Sequence, residues 1–71
     1  MQKYTIDAVE NGRRLKELRG KRSVKEVSEA IGVSATLYYM YESGERTPSD
    51  KVKVQLAQYF KTTVQRLFFG V

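Results

Sequence analysis

The 71-residue sequence has no cysteine, no histidine, no tryptophan and a single proline, Pro48. Without thiols or imidazoles, disulfides, thiol chemistry and the ordinary zinc sites are excluded, so stability has to come from packing. The same absences leave no base, nucleophile or metal constellation from which to assemble an enzyme. A chain this short makes one modest core, with no room for a separate cofactor domain. The expectation is therefore a binding module with no catalytic residue, no cofactor, no metal and no small-molecule ligand. No uninterrupted apolar run approaches the ~20 residues of a membrane span, and residues 1–7 lack the apolar stretch of a signal peptide, which predicts a soluble intracellular protein.

Positive charge is what the chain has in excess. Thirteen Lys and Arg stand against eight Asp and Glu, a formal charge of +5. Arg13, Arg14, Lys16, Arg19, Lys21, Arg22 and Lys25 fall close together with only Glu17 as an acid among them. Such a run suits a polyanionic partner, and it suits a solvated, self-repelling surface equally well.

Periodicity divides the rest into helices. Residues 2–6 alternate polar and apolar, with Tyr4 and Ile6 on one side, which fits a short strand or an ordered arm over 1–10. The spacing predicts a first helix over 11–19, capped by Asn11, with Leu15 and Leu18 inward and Gly20 as its stop. Ser23-Val24-Lys25-Glu26 is a capping box, in which Ser23 and Glu26 satisfy each other's free amides. It opens a second helix with Val24, Val27 and Ile31 on one stripe. Gly32 provides a tight turn with a left-handed backbone angle, and small side chains at Ser28 and Ala30 let the flanking helices cross steeply. A third helix is expected from the Ser34 cap to Gly44, with Tyr38 and Tyr41 inward. Thr47-Pro48-Ser49-Asp50 reads as an N-cap, a proline at the first helical position and a first-turn acid, opening a fourth helix through Phe60. Its inward stripe is Val52, Leu56, Tyr59 and Phe60. Val54 lies opposite, as a scattered apolar residue or a dimer contact. Thr62 and Thr63 start a last turn holding Val64, Leu67 and Phe68.

Two short helices joined at Gly32, with Arg14-Leu15-Lys16-Glu17-Leu18-Arg19 before them and Tyr41-Glu42-Ser43-Gly44-Glu45-Arg46-Thr47-Pro48-Ser49 after, resemble the Cro and phage-repressor (XRE-like) helix-turn-helix family from residue 11 to 69. The resemblance implies an all-α, compact five-helix domain of the lambda-repressor type over 11–71. It implies a sequence-specific regulator of transcription, a repressor, in a bacterial or phage cytoplasm. Its partner would be double-stranded DNA, bound by a homodimer on a two-half-site operator with helix 34–42 in the major groove.

Carried onto this chain, that docking sets Ala35, Thr36, Tyr39 and Met40 against base edges, where Thr can hydrogen-bond and Ala, Met or a Tyr ring can touch a thymine methyl. Phosphate contacts would come from Arg14, Ser23, the Val24 amide, Lys25, Ser43, Gly44 and Arg46, the second-helix N-terminus being an anion-favouring end. Arg19 and Glu42 correspond to a structural ion pair joining the first helix to the end of the third. A competing reading gives the apolar face of Ala35, Tyr39 and Met40 to another protein, as in the antitoxin of a toxin–antitoxin pair.

Overall fold

The computed structural model describes residues 8–70. Four α-helices, α1 (Ala8–Arg19), α2 (Val24–Ile31), α3 (Ala35–Ser43) and α4 (Asp50–Tyr59), are followed by a terminal π-helical turn, Gln65–Phe69. No strand occurs among the described residues, as an all-α fold requires. The expected arm or strand over residues 2–6 lies outside them. None of the described helices is long and apolar enough to cross a membrane.

α1 does not begin at Asn11. Ala8, Val9 and Glu10 are already helical, and Asn11 is a buried residue inside the helix. The line facing the core runs through Gly12, Leu15 and Arg19, a spacing of three and four residues that belongs to one helix face. Leu18 falls at the edge of that line and is exposed, contrary to the expectation from its apolar character. Gly12 sets the geometry. A Cβ there would overlap the Glu42 carbonyl and lie 2.7 Å from Tyr41 O, so the α1 backbone rests directly on α3.

α2 starts and stops where the sequence indicates. Ser23 Oγ accepts from the Glu26 amide at 3.0 Å, the Ser23 half of the capping box. At the far end Gly32 has φ 77°, its N–H donates to Glu29 O, and Val33 N donates to Ser28 O at 3.0 Å. This Schellman closure satisfies two orphan carbonyls and tucks half-buried Val33 against the core. Ser28 is buried where the helices cross, with its hydroxyl returned to Lys25 O (3.1 Å). Ala30 is exposed and has no part in that crossing.

α4 begins two residues later than Thr47-Pro48 suggests. Ser49 is the cap, its Oγ accepting from Val52 N (3.4 Å), and Pro48 is buried in the lead-in. Leu56 is buried, while Val52, Tyr59 and Phe60 are half-buried against the core, and Val54 faces outward. In the terminal turn Gly70 N bonds back to Gln65 O across five residues, and Leu67 and Phe68 are both buried. The core is Leu15, Val27, Ile31, Tyr38, Tyr41, Leu56, Leu67 and Phe68.

Candidate nucleic-acid interface

α3 packs against both α1 and α2 and has two contrasting faces. Ser34 caps it, accepting from Leu37 N at 3.1 Å, and Gly44 ends it with φ 87° and an N–H bond to Met40 O. On the inner face Tyr38 is fully buried and Tyr41 nearly so, their rings edge-on 6.4 Å apart. Both tyrosines fill inward positions, as the periodicity indicates. The Tyr38 hydroxyl is buried without a hydrogen-bond partner. Burial, followed by the neighbouring Glu42 carboxylate, pushes this phenol well above the usual tyrosine range, and burial raises Tyr41 too.

Glu42 is the single charged residue of α3, and it turns inward. Its carboxylate receives two bonds from Arg19, Nε at 2.7 Å and Nη2 at 3.2 Å, in the forked geometry guanidinium favours. The Glu42 side chain is 6% exposed and that of Arg19 17%, so the pair is largely removed from water. Bonding to Glu42 raises the Arg19 pKa further. Arg19 also donates to Arg22 O at 2.8 Å, holding the connection between α1 and α2.

On the outer face Ala35, Thr36 and Tyr39 are exposed and Met40 is half-buried, so the residues expected to meet base edges lie on one side of one helix. Tyr39 is the most open large side chain of α3, at 60%. Ser23 and Lys25 are exposed at the start of α2, where Val24 is half-buried with its side chain against the core. Gly44 and Arg46 follow α3, Arg46 being exposed with its amide bonded to Met40 O. Neither Lys25 nor Arg46 has an ion-pair partner among the described residues. Ser43 is exposed, but its Oγ lies 3.1 Å from both Met40 O and Glu45 Oε1.

The basic run behaves differently from its appearance in the sequence. Arg13 bonds to Glu10 and to Glu17 Oε2 (2.6 Å) on the exposed side of α1. The bond to Arg13 lowers the Glu10 pKa, and the bond to Glu10 raises that of Arg13. Arg14, expected at phosphate, instead bonds Asn11 Oδ1 (2.8 Å) and Leu67 O (3.0 Å). The second bond satisfies a carbonyl at the end of the terminal turn, a group the helix itself leaves orphaned. Arg22 lies over the Tyr59 and Phe60 rings at 5.4 and 5.8 Å. These roles for Arg14 and Arg22 were not visible in sequence, because each depends on an element distant along the chain.

The helix-turn-helix family model matches residues 13–67. Among solved structures the chain is similar to the restriction-modification controller protein C.AhdI from Aeromonas hydrophila, with 28% identity and a TM-score of 0.79 over 87% of this chain and 97% of that one. The DNA-binding domain of BldD from S. venezulae aligns at 26% identity and a TM-score of 0.71, over 87% and 96%. The P22 c2 repressor, solved with a synthetic operator, shares the fold at a TM-score of 0.82 and 21% identity, over 86% and 96%. No curated protein matched the sequence. The family match, the Schellman turn at Gly32 and the two-faced third helix agree in register, and the chain belongs to the helix-turn-helix family of the Cro and phage-repressor type.

Proposed function

We propose that this protein is a DNA-binding regulator of transcription, a repressor, that inserts α3 into the major groove of an operator as a homodimer on two half-sites. The observation that carries the reading is the division of α3. Its inner face is fixed by Tyr38, Tyr41 and the Arg19–Glu42 pair, while Ala35, Thr36 and Tyr39 remain open to solvent. A reading helix needs that combination, since base contacts discriminate only when their backbone is held in place.

Phosphates would be met by the α2 N-terminus, through Ser23, the Val24 amide and Lys25, and beyond the α3 cap by Gly44 and Arg46. Ser43 joins them by releasing Glu45. Arg14 would reach phosphate only with the guanidinium hydrogens left over by its Nη1 bonds to Asn11 and Leu67. Similar solved structures include a repressor with its operator and a DNA-binding domain, which supports the assignment.

Tyr39 favours one competing reading, because a large exposed aromatic on an uncharged face also suits a protein partner. Selection from a random duplex pool separates the two. The DNA reading expects a recovered consensus with two symmetric half-sites and affinity that falls steeply with salt. The partner reading expects no consensus.

A further inference from the structure

The outer face of α3 has a chemical gap. From Ala30 to Glu45 the sequence contains no Arg, Lys, Asn or Gln. Those are the side chains that grip guanine O6 and N7, or adenine N6 and N7, with two hydrogen bonds at once. The remaining exposed groups are the methyl of Ala35, the methyl and hydroxyl of Thr36 and the ring of Tyr39, beside the half-buried thioether chain of Met40. Glu42, which could accept from cytosine, is turned inward and held by Arg19. The nearest flanking cations, Lys25 and Arg46, sit in the first turn of α2 and past the Gly44 cap, not on the helix face.

We infer that α3 recognises thymine, through the C5-methyl groups that line the major groove, and that no guanine in the half-site is held by a two-bond contact from this helix. The inference rests on the proposed function and specifies its substrate. Thymine alone among the DNA bases projects an apolar group into the groove, so a face of methyls, a ring and a thioether finds complementary surface there. The Thr36 hydroxyl adds at most a single hydrogen bond to an adjoining base. Such a reader gains discrimination in small equal increments along a thymine tract instead of from one dominant contact.

The test uses the selected operator with each thymine in turn replaced by deoxyuridine, which removes the C5-methyl and leaves pairing intact, and each guanine by 7-deazaguanine, which removes N7. The expected result is about a fourfold loss of affinity for each contacted methyl, the size associated with burying one such group, and less than a twofold change at every guanine. Thr36→Ser, which keeps the hydroxyl and loses the methyl, and Tyr39→Ala, at a position exposed enough to leave the fold intact, should each cancel the uridine penalty at the thymine they touch. Affinity indifferent to uridine, a large 7-deazaguanine penalty, or uridine penalties that survive in both variants would overturn the inference while leaving the DNA reading standing. Absence of salt-dependent binding to any duplex would overturn the DNA reading and this inference with it.

Discussion

α1 and α3 lie against each other and use their side chains in opposite ways. α1 is rich in cations, yet Arg13, Arg14 and Arg19 each bind groups of this same chain: Glu10 and Glu17, Asn11 and Leu67, and Glu42. α3 has one charged residue, directs it inward, and leaves an uncharged face uncovered. The density of charge along the sequence therefore does not mark the surface offered to a polyanion. Among the cations without an ion pair in the described residues, Lys25 at the α2 N-terminus and Arg46 beyond the α3 cap are the ones that flank α3, and these are the candidates for that surface.

Breaking the joint between the two helices should have the largest effect. Glu42→Ala leaves the largely buried Arg19 guanidinium without a counter-charge and with only the Arg22 carbonyl as partner, a loss of up to about 3–5 kcal/mol, the range for removing one partner of a buried pair. Urea denaturation should show a lower midpoint for Glu42→Ala and none for Glu29→Ala, a surface control. Gly12→Ala attacks the same contact sterically. Its Cβ meets the α3 backbone, which cannot yield as a flexible side chain would, so a loss of about 1–3 kcal/mol or more is expected.

A substitution on the inner face of α3 should act in the opposite direction. Tyr38→Phe deletes a buried hydroxyl that lacks a partner, and stability should rise by about 1 kcal/mol. The same change should flatten the alkaline limb of the stability profile. Because the folded phenol holds its proton more tightly than the unfolded one, its contribution is complete below the unfolded value near pH ~10 and is lost as pH rises above it. Thermal melts of both proteins between neutral and alkaline pH check this, and a lower melting temperature for Tyr38→Phe would show that the hydroxyl has a stabilising partner.

The smallest effects separate paired from unpaired cations. Lys25→Ala and Arg46→Ala should each flatten the slope of log affinity against log salt by roughly 0.9, the value for one phosphate contact. Arg13→Ala should leave the slope unchanged. Equal flattening by all three would erase the contrast drawn between α1 and the α3 flanks.

How much of this was legible in sequence depended on whether a local signal had a competitor. Ser23, Gly32, Ser34 and Gly44 are capping residues at unambiguous breaks in apolar periodicity, and both helices of the motif start and stop at them. At the start of α4 Thr47 and Ser49 are both competent caps on either side of Pro48, and burial of the proline, a tertiary event, selects Ser49. Asn11 is a good cap by type, but helical Ala8, Val9 and Glu10 precede it and it turns inward next to Gly12. The close approach at Gly12 then fixes which side of α1 is inner and leaves Leu18 outside. The π winding at Gln65–Phe69 left no mark in the apolar spacing, because adjacent buried residues such as Leu67 and Phe68 also occur inside the α-helices of this chain. For the candidate site, positions on α3 followed from its register. The engagement of Arg14 and Ser43 depended on contacts that spacing does not reveal.

A division of labour in which the open face of α3 reads sequence and its flanks supply affinity separates specificity from strength of binding. It is tested most directly by titrating wild type, Thr36→Ala and Tyr39→Ala against the selected operator and a scrambled duplex at one fixed salt concentration. Each variant should narrow the free-energy gap between the two duplexes by about 1 kcal/mol, the size of one buried methyl with at most a single hydrogen bond, with binding to scrambled duplex nearly unchanged. An unaltered gap in both variants would contradict it.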